Sequence, residues 1–272
     1  MTELVAAMDA SDILAVSHLS KTFLVPNSGR LGHHEFQAVS DVSFSLARGQ
    51  SLGIVGESGS GKTTVARMIA GLEVPTSGTV TVAGQRTPST AKPSARRARA
   101  RVLQIVFQDP YTSLSPRQSI RASLDEVQRV HFKRTRSQIT TRTDELLDAV
   151  GLSVHEAAVK PRSLSGGQRQ RVAIARALAA EPELIILDEA VSALDVSVQA
   201  QILNLLVNLR TQFGLAYLLI SHDLAVVNFL CEEVVVMQRG HVKESGSCAS
   251  VLACPQDPYT AALVESVPQY VR

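Results

Sequence analysis

The chain has 272 residues, with 27 Lys+Arg against 25 Asp+Glu, 45% hydrophobic residues and 4% aromatics; this is enough for one large domain or two smaller ones with a self-sufficient core. A formal net charge of +2 and the lack of Trp argue against a nucleic-acid or anionic-membrane surface and against a base-stacking platform. Three Cys, at 231, 248 and 254, cannot build a disulfide framework or a zinc site, and no run approaches the roughly 18 apolar residues of a membrane span.

In the N-terminal run Glu3 and Asp9 interrupt the apolar residues, unlike a signal peptide. A reducing, cytosolic setting fits, and any membrane role is expected to come through a partner. Residues 13–19 (ILAVSHL), 42–47 (VSFSLA) and 78–84 (GTVTVAG) alternate apolar and polar, which predicts half-buried strands in an antiparallel layer. Between the first two, the Pro/Gly-rich stretch 26–36 reads as an inserted loop. Its adjacent His33 and His34 do not face together as metal ligands would.

SLGIV at 51–55 predicts the first of four buried parallel strands; the others are 102–107, 184–187 and 216–220. Helical segments between them make an α/β alternation. Directly after the first strand comes Gly56-Glu57-Ser58-Gly59-Ser60-Gly61-Lys62-Thr63, the phosphate-loop pattern in its strand-loop-helix context. Average residue usage gives that pattern in about one chain of this length in a hundred. Its glycines let backbone N–H groups turn toward phosphate oxygens, and the helix N-terminus adds partial positive charge. Lys62 is placed to reach the β/γ-phosphates and Thr63 to ligate Mg²⁺, with Thr64 a further nucleotide-binding residue. The helix is predicted to stop at Gly71.

The basic stretch 92–101 reads as a solvated helix face. From 109 to 165 no strong strand appears, and helical spacing at 119–131 and 137–150 predicts a helical insertion. Leu164-Ser165-Gly166-Gly167-Gln168 then opens a second Gly-rich helix N-terminus, a string expected by chance in roughly a few chains in ten thousand. One mononucleotide does not need two such cradles from one subunit. The next buried strand ends in Asp188-Glu189, which places Asp188 for Mg²⁺ and Glu189 to polarise an attacking water. A helix is predicted from about Val196 to Phe213, stopping at Gly214. His222 ends the strand after it and could reach the same phosphate. The tail holds a hairpin at 234–246 and a helix capped by Asp257 with Pro258 first. Cys231 reads as a small buried residue.

The phosphate loop, LSGGQ, LIILDE, SALD and the post-strand His222 together resemble the nucleotide-binding subunits of ATP-binding cassette (ABC) transporters over residues 13–245. The resemblance implies an α/β P-loop NTPase (RecA-like) core with an N-terminal antiparallel β layer and a helical subdomain inserted at about 109–165. Residues 1–245 would form the ATPase domain and 246–272 a C-terminal extension. It also implies a head-to-tail dimer in which Ser165, Gly166, Gly167 and Gln168 of one subunit close on ATP held by the other. By the same match Gln108 is the Q-loop glutamine on Mg²⁺ or water, 192–195 the D-loop, His222 the switch histidine and Phe23 the aromatic that stacks on adenine. Glu189, His222, Gln108 and Lys62 form the implied catalytic set.

VFQDPYTSLSPR (106–117), VSALDVSVQAQ (191–201) and PYTAALVESVP (258–268) resemble the oligopeptide/dipeptide/nickel importer branch. Ala190 departs from the Pro usual in peptide importers, and the chain stops before a Cys-rich tail, so Cys248 and Cys254 are not expected to hold an iron–sulfur cluster. The implied partners are integral membrane permease subunits, a second ATPase subunit (a paralogue, with a homodimer as the alternative) and, indirectly, an extracytoplasmic solute-binding protein. No nucleic-acid partner is expected, and the location implied is peripheral, on the cytoplasmic face of the membrane. A DNA-repair or translation ATPase clamp is the alternative function; the long coiled coils, zinc modules or second cassette typical of such machines are missing here. A regulatory module without turnover is disfavoured by the presence of Lys62, Asp188, Glu189 and His222.

Overall fold

Short apolar runs stopped by glycines and helix caps set the order of elements. A computed structural model describes residues 11–26, 32–87 and 93–266. Two compact units divide the chain, Met1–Ala91 with Leu218–Arg272, and Lys92–Tyr217. The first unit begins with β1 (Asp12–Pro26), β2 (His33–Ala47), β3 (Ser51–Val55), α1 (Lys62–Ala70), β4 (Ser77–Val82) and β5 (Gln85–Arg86). The second runs through α2 (Pro93–Val102), β6 (Leu103–Phe107), α3 (Ile120–His131), α4 (Arg136–Ala149), α5 (Val154–Ala158), α6 (Gly166–Leu178), β7 (Leu184–Asp188) and α7 (Val196–Phe213). Strand β8 (Ala216–Ile220) crosses the division, and the chain returns to the first unit as α8 (Leu224–Leu230), β9 (Glu233–Gln238), β10 (His241–Ser247), α9 (Cys248–Ala253) and α10 (Pro258–Glu265).

In the first unit, β2-β1-β4-β5 form the antiparallel layer expected from the alternation. Ile13, Leu14, Val16, Val42 and Val80 are buried in it. The stretch 26–36 differs from its reading as a loop: Phe23 pairs with Phe36 and Pro26 with His33, so residues 33–36 belong to a long β ribbon. His33, His34, Glu35 and Phe36 are exposed there, and the ribbon rests on backbone pairing, which leaves no hydrophobic period to read. His33 and His34 sit on opposite faces of the strand. The middle of the stretch, 27–31, lies outside the described residues.

All five residues of β3 are buried. It pairs parallel with β9, which pairs antiparallel with β10, and Ser221 N, just past β8, donates to Ile54 O at 3.2 Å. The hairpin expected at 234–246 is therefore present, and its first strand also extends the parallel sheet. Helix α8 lies close on β3: a Cβ built on Gly53 would come 2.4 Å from Val227 Cγ1.

In the second unit, β6 and β7 pair parallel from Leu103↔Leu184 to Phe107↔Asp188. Helices α3 and α4 match the expected 119–131 and 137–150 within a residue, and α1 and α7 stop at Gly71 and Gly214 as expected. Ile120, Leu124, Ile139, Leu146 and Leu147 form their shared core. Gln128 and Thr143 are buried with them and satisfied: Gln128 Nε2 donates to Thr143 Oγ1 at 2.8 Å, and Thr143 Oγ1 to Asp125 Oδ1 at 2.7 Å. Helix α2 is less uniformly solvated than its composition suggests. Arg96 and Arg97 are exposed, but burial lowers the Arg99 pKa to about 10, and the Arg101 guanidinium lies 4.6 Å over the Phe132 ring.

Candidate active site

Strand β3 runs into a loop that reverses in very little space. A Cβ on Gly56 would lie 2.0 Å from Met237 O, and one on Gly61 2.5 Å from Ala38 O. Both residues have positive φ, 147° and 103°, where an L side chain is strained. Ser60 N donates to Glu57 O at 3.2 Å and Gly240 N to Ser60 O at 3.0 Å, which pins the loop internally and from the β9–β10 turn. Ser58 and Gly59 are exposed at its tip. Helix α1 then starts at Lys62 with no acidic residue in its first turn, leaving the positive end of its dipole uncompensated.

Lys62 is only 4% exposed. Its Nζ donates to Gly56 O at 2.7 Å, to Glu57 O at 2.8 Å and to Ser60 Oγ at 3.3 Å, so the loop's own carbonyls hold the ammonium in place. Thr63 and Thr64 are half-buried on the first turn of α1. His222 is exposed and directly precedes Asp223, which caps α8 by accepting from Ala225 N at 2.8 Å. Phe23, half-buried in β1, has Lys21 Nζ 4.8 Å from its ring centroid. That lysine is tied to Val74 O at 2.7 Å and to Glu73 Oε1 at 2.6 Å.

The remaining candidates lie in the second unit. Strand β7 ends in Asp188, 7% exposed, followed by Glu189 at φ 49°. A left-handed non-Gly residue costs about 1–3 kcal/mol and turns its side chain out of the strand's alternation. Glu189 O accepts from Ser192 N at 3.2 Å and from Ser192 Oγ at 3.0 Å, which holds that turn. Gln108 Nε2, just past β6, donates to the same Ser192 Oγ at 3.1 Å. Gln108, Ser192 and the Glu189 backbone are thus one hydrogen-bonded chain.

Ser165 caps α6 in a capping box: Gln168 N donates to Ser165 Oγ at 3.2 Å, and Ser165 N donates to Gln168 Oε1 at 2.8 Å. Gly167 abuts α7, since a Cβ there would come 2.5 Å from Val198 Cγ1, whereas at Gly166 the nearest atom is Leu194 Cδ2 at 3.7 Å. Gln168 Nε2 also donates to Glu156 Oε1 at 2.5 Å. Glu156 Oε2 accepts from Ser153 N at 2.6 Å and from Ser153 Oγ at 2.7 Å. Those two bonds from Ser153, hydroxyl first, hold the Glu156 carboxyl below the usual carboxylate range.

Residues 39–192 match the ABC transporter family. The chain belongs to that family. A putative peptide import ATP-binding protein of Brucella abortus (strain 2308) is 46% identical over 244 residues, covering 90% of this chain and 72% of its own length. The glutathione import ATP-binding protein GsiA of Shigella flexneri is 46% identical over 263 residues, 96% of this chain but 42% of GsiA. Among solved structures, cbiO1 from Clostridium perfringens, part of the ABC transporter complex cbiONQ, aligns at TM-score 0.77 and 28% identity over 90% of this chain and 92% of its own. The ATP-binding cassette MJ0796, a dimer in a post-hydrolysis state with ADP and Pi, aligns at TM-score 0.76 and 28% identity over 86% of this chain and 98% of its own.

This ABC chain is therefore an ATP-binding, ATP-hydrolysing cassette on an α/β P-loop fold. Its structure divides the expected site residues: Phe23, the loop 56–61, Lys62, Thr63, Thr64 and His222 lie in the first unit, and Gln108, 165–168, Asp188 and Glu189 in the second. Glu156 was not singled out in sequence, although Ser153-Val154-His155-Glu156 is a capping-box string. Tyr259 lies in the motif at 258–268 that carried the branch resemblance, without a role of its own.

Proposed function

We propose that this cassette is the ATPase subunit of an importer that takes up peptides or a related small solute, nickel or a metal chelate included. The observation that carries the reading is 46% identity over 90% of the chain to a protein named for peptide import. In this reading Lys62 meets the β/γ-phosphates, Phe23 stacks on adenine, His222 contacts the γ-phosphate and Glu189 polarises the attacking water. Its left-handed backbone at φ 49° ends the alternation of β7 at the residue assigned that task.

Thr63, Gln108 and Asp188 offer only oxygen donors, the class Mg²⁺ takes. Such an ion is held by one or two carboxylates together with substrate phosphates. Bound there, Mg²⁺ would neutralise charge on the β- and γ-phosphate oxygens.

Residues 1–245 act as the cassette. Two cassettes pair head to tail, so that Ser165, Gly166, Gly167 and Gln168 of one close on nucleotide held by the other; a paralogue is the favoured second subunit. ATP favours the closed pair and hydrolysis releases it, a population shift that the permease subunits convert into alternating access. Residues 109–165 dock those subunits on the cytoplasmic face, and the chain Gln108–Ser192–Glu189 O supports a route from docking to the backbone of the water-polarising residue. A solute-binding protein delivers cargo on the other side. The test is Glu189→Gln. ATP binding should persist, phosphate release should fall about 10²- to 10⁴-fold, and light scattering should detect an ATP-dependent dimer. Normal steady-state hydrolysis by the variant sinks the assignment.

A further inference from the structure

The segment after β10 has no part in the chemistry assigned above, yet it returns to the phosphate loop. Three anchors fix its path. Glu244 on β10 accepts from Gln256 N at 3.0 Å and from Asp257 N at 3.1 Å. Burial works to raise this carboxyl's pKa, but the Gln256 and Asp257 amides and the Thr260 hydroxyl together hold the group below its ordinary value. Asp257 then accepts from Tyr259 N at 2.8 Å, starting α10 with Pro258 in its first turn. Thr260 beside it is 1% exposed. Tyr259 is thereby held half-buried, and its phenol oxygen accepts the N–H of Glu57 at 3.0 Å.

That N–H belongs to the peptide unit whose carbonyl is Gly56 O, and Gly56 O accepts from Lys62 Nζ at 2.7 Å. A peptide unit is planar and rigid, so the two bonds hold one plate from opposite edges. If the plate turns about its flanking bonds, Gly56 O swings away from the ammonium. A glycine on one side, at φ 147°, makes that turn easier than at an ordinary residue. The Tyr259 hydroxyl opposes it.

We infer that Tyr259 is a positioning residue of the nucleotide site: it fixes the Gly56–Glu57 peptide plane, and through Gly56 O the place of the Lys62 ammonium, making the C-terminal extension part of the phosphate cradle. The inference rests on the reading that Lys62 meets the phosphates of ATP.

Tyr259→Phe removes the hydroxyl and keeps the ring. One neutral hydrogen bond corresponds to about a threefold to tenfold change in affinity. MgATP and MgADP should bind the variant more weakly by that factor in calorimetric titration. KM for ATP should rise similarly with little change in kcat, while AMP, which carries no β- or γ-phosphate, should compete as it does with the wild type. The melting temperature without nucleotide should stay the same. Glu244→Gln, which loosens the anchor, should shift MgATP affinity in the same direction by less. Wild-type MgATP affinity in Tyr259→Phe overturns the inference and leaves the nucleotide site standing. So does an equal loss for AMP, or a drop in nucleotide-free melting that accounts for the weaker binding, since either marks a purely structural role. Failure of the wild-type chain to bind MgATP removes the site reading itself.

Discussion

Single side chains in this cassette act by holding backbone and amide groups in one orientation, and Glu156 shows how narrow the chemistry for that can be. Every group it meets is a donor: Ser153 N, Ser153 Oγ and Gln168 Nε2. Only an ionised carboxylate can accept from all three. Glu156→Gln would turn an NH₂ toward one of those donors, leave the start of α6 under-braced and keep the volume unchanged. We expect ATP turnover to fall about three- to tenfold, because solvent screening at this partly exposed carboxylate brings the loss below the about 1.5–3 kcal/mol of a charge-assisted hydrogen bond, while MgATP affinity at the phosphate loop stays put. The pH dependence follows from the sign of the shift. A carboxyl whose folded pKa is depressed keeps its contribution above the unfolded value, about 4.3, and loses it as pH falls through the lower folded value. Wild type and variant should therefore differ by a constant factor from pH 8 to about pH 5 and converge only in stronger acid. A gap that closes between pH 7 and 6 would show that another group does the bracing.

At the scale of elements, the close seating of α8 on β3 sets two parts of the site at once. Strand β3 ends in the phosphate loop, and α8 begins two residues after His222. Both contact residues are buried, and the gap at Gly53 is too small for a methyl group, with Val227 Cγ1 at 2.4 Å from a built Cβ. Gly53→Ala should destabilise the chain by about 1–3 kcal/mol through overpacking, although Ala is the better strand residue on entropy alone. Val227→Ala should cost about 1–2.5 kcal/mol through the cavity. The double variant, measured by urea unfolding, should lie close to Val227→Ala alone and far from the sum; full additivity would mean that the two side chains do not meet. In sequence Gly53 looks like any small residue in an apolar strand, because what crowds it arrives from a helix 170 residues later. The same separation explains other gaps. Burial periods and glycine stops made β3, β7, β8, α1 and α7 legible, and strict Gly/Lys spacing made the phosphate loop legible; β6 forms where its apolar run lies, but only Leu103 and Val106 of it are buried. The exposed ribbon 33–36, the parallel pairing of β3 with β9 and the one-turn α5 carry no period of their own. The bonds from Glu57 N to Tyr259 and from Gln108 to Ser192 depend on where distant segments return.

For the whole molecule, the small net charge decides how it can meet a membrane. Among the described residues no helix is long and apolar enough to cross one. A juxtamembrane cation contributes about 1 kcal/mol near an anionic surface, and lipid-binding segments gather 4–8 of them. Helix α2 is the densest basic element, but Arg99 is partly buried, which leaves Arg96, Arg97 and Arg101 exposed, the last lying over the Phe132 ring. Three cations give about 3 kcal/mol, roughly a 150-fold enrichment at the surface, still fewer than lipid-binding segments gather and too little for stable binding on a chain whose charges nearly cancel. In the importer reading, attachment comes from contacts with permease chains. Expressed alone, the cassette should stay in the supernatant when vesicles with 30% phosphatidylglycerol are sedimented in 0.15 M salt. Co-expressed with its permease subunits, it should sediment with the membranes and be released by alkaline carbonate without detergent. Sedimentation with the bare anionic vesicles would assign the attachment to lipid and remove the need for a protein partner.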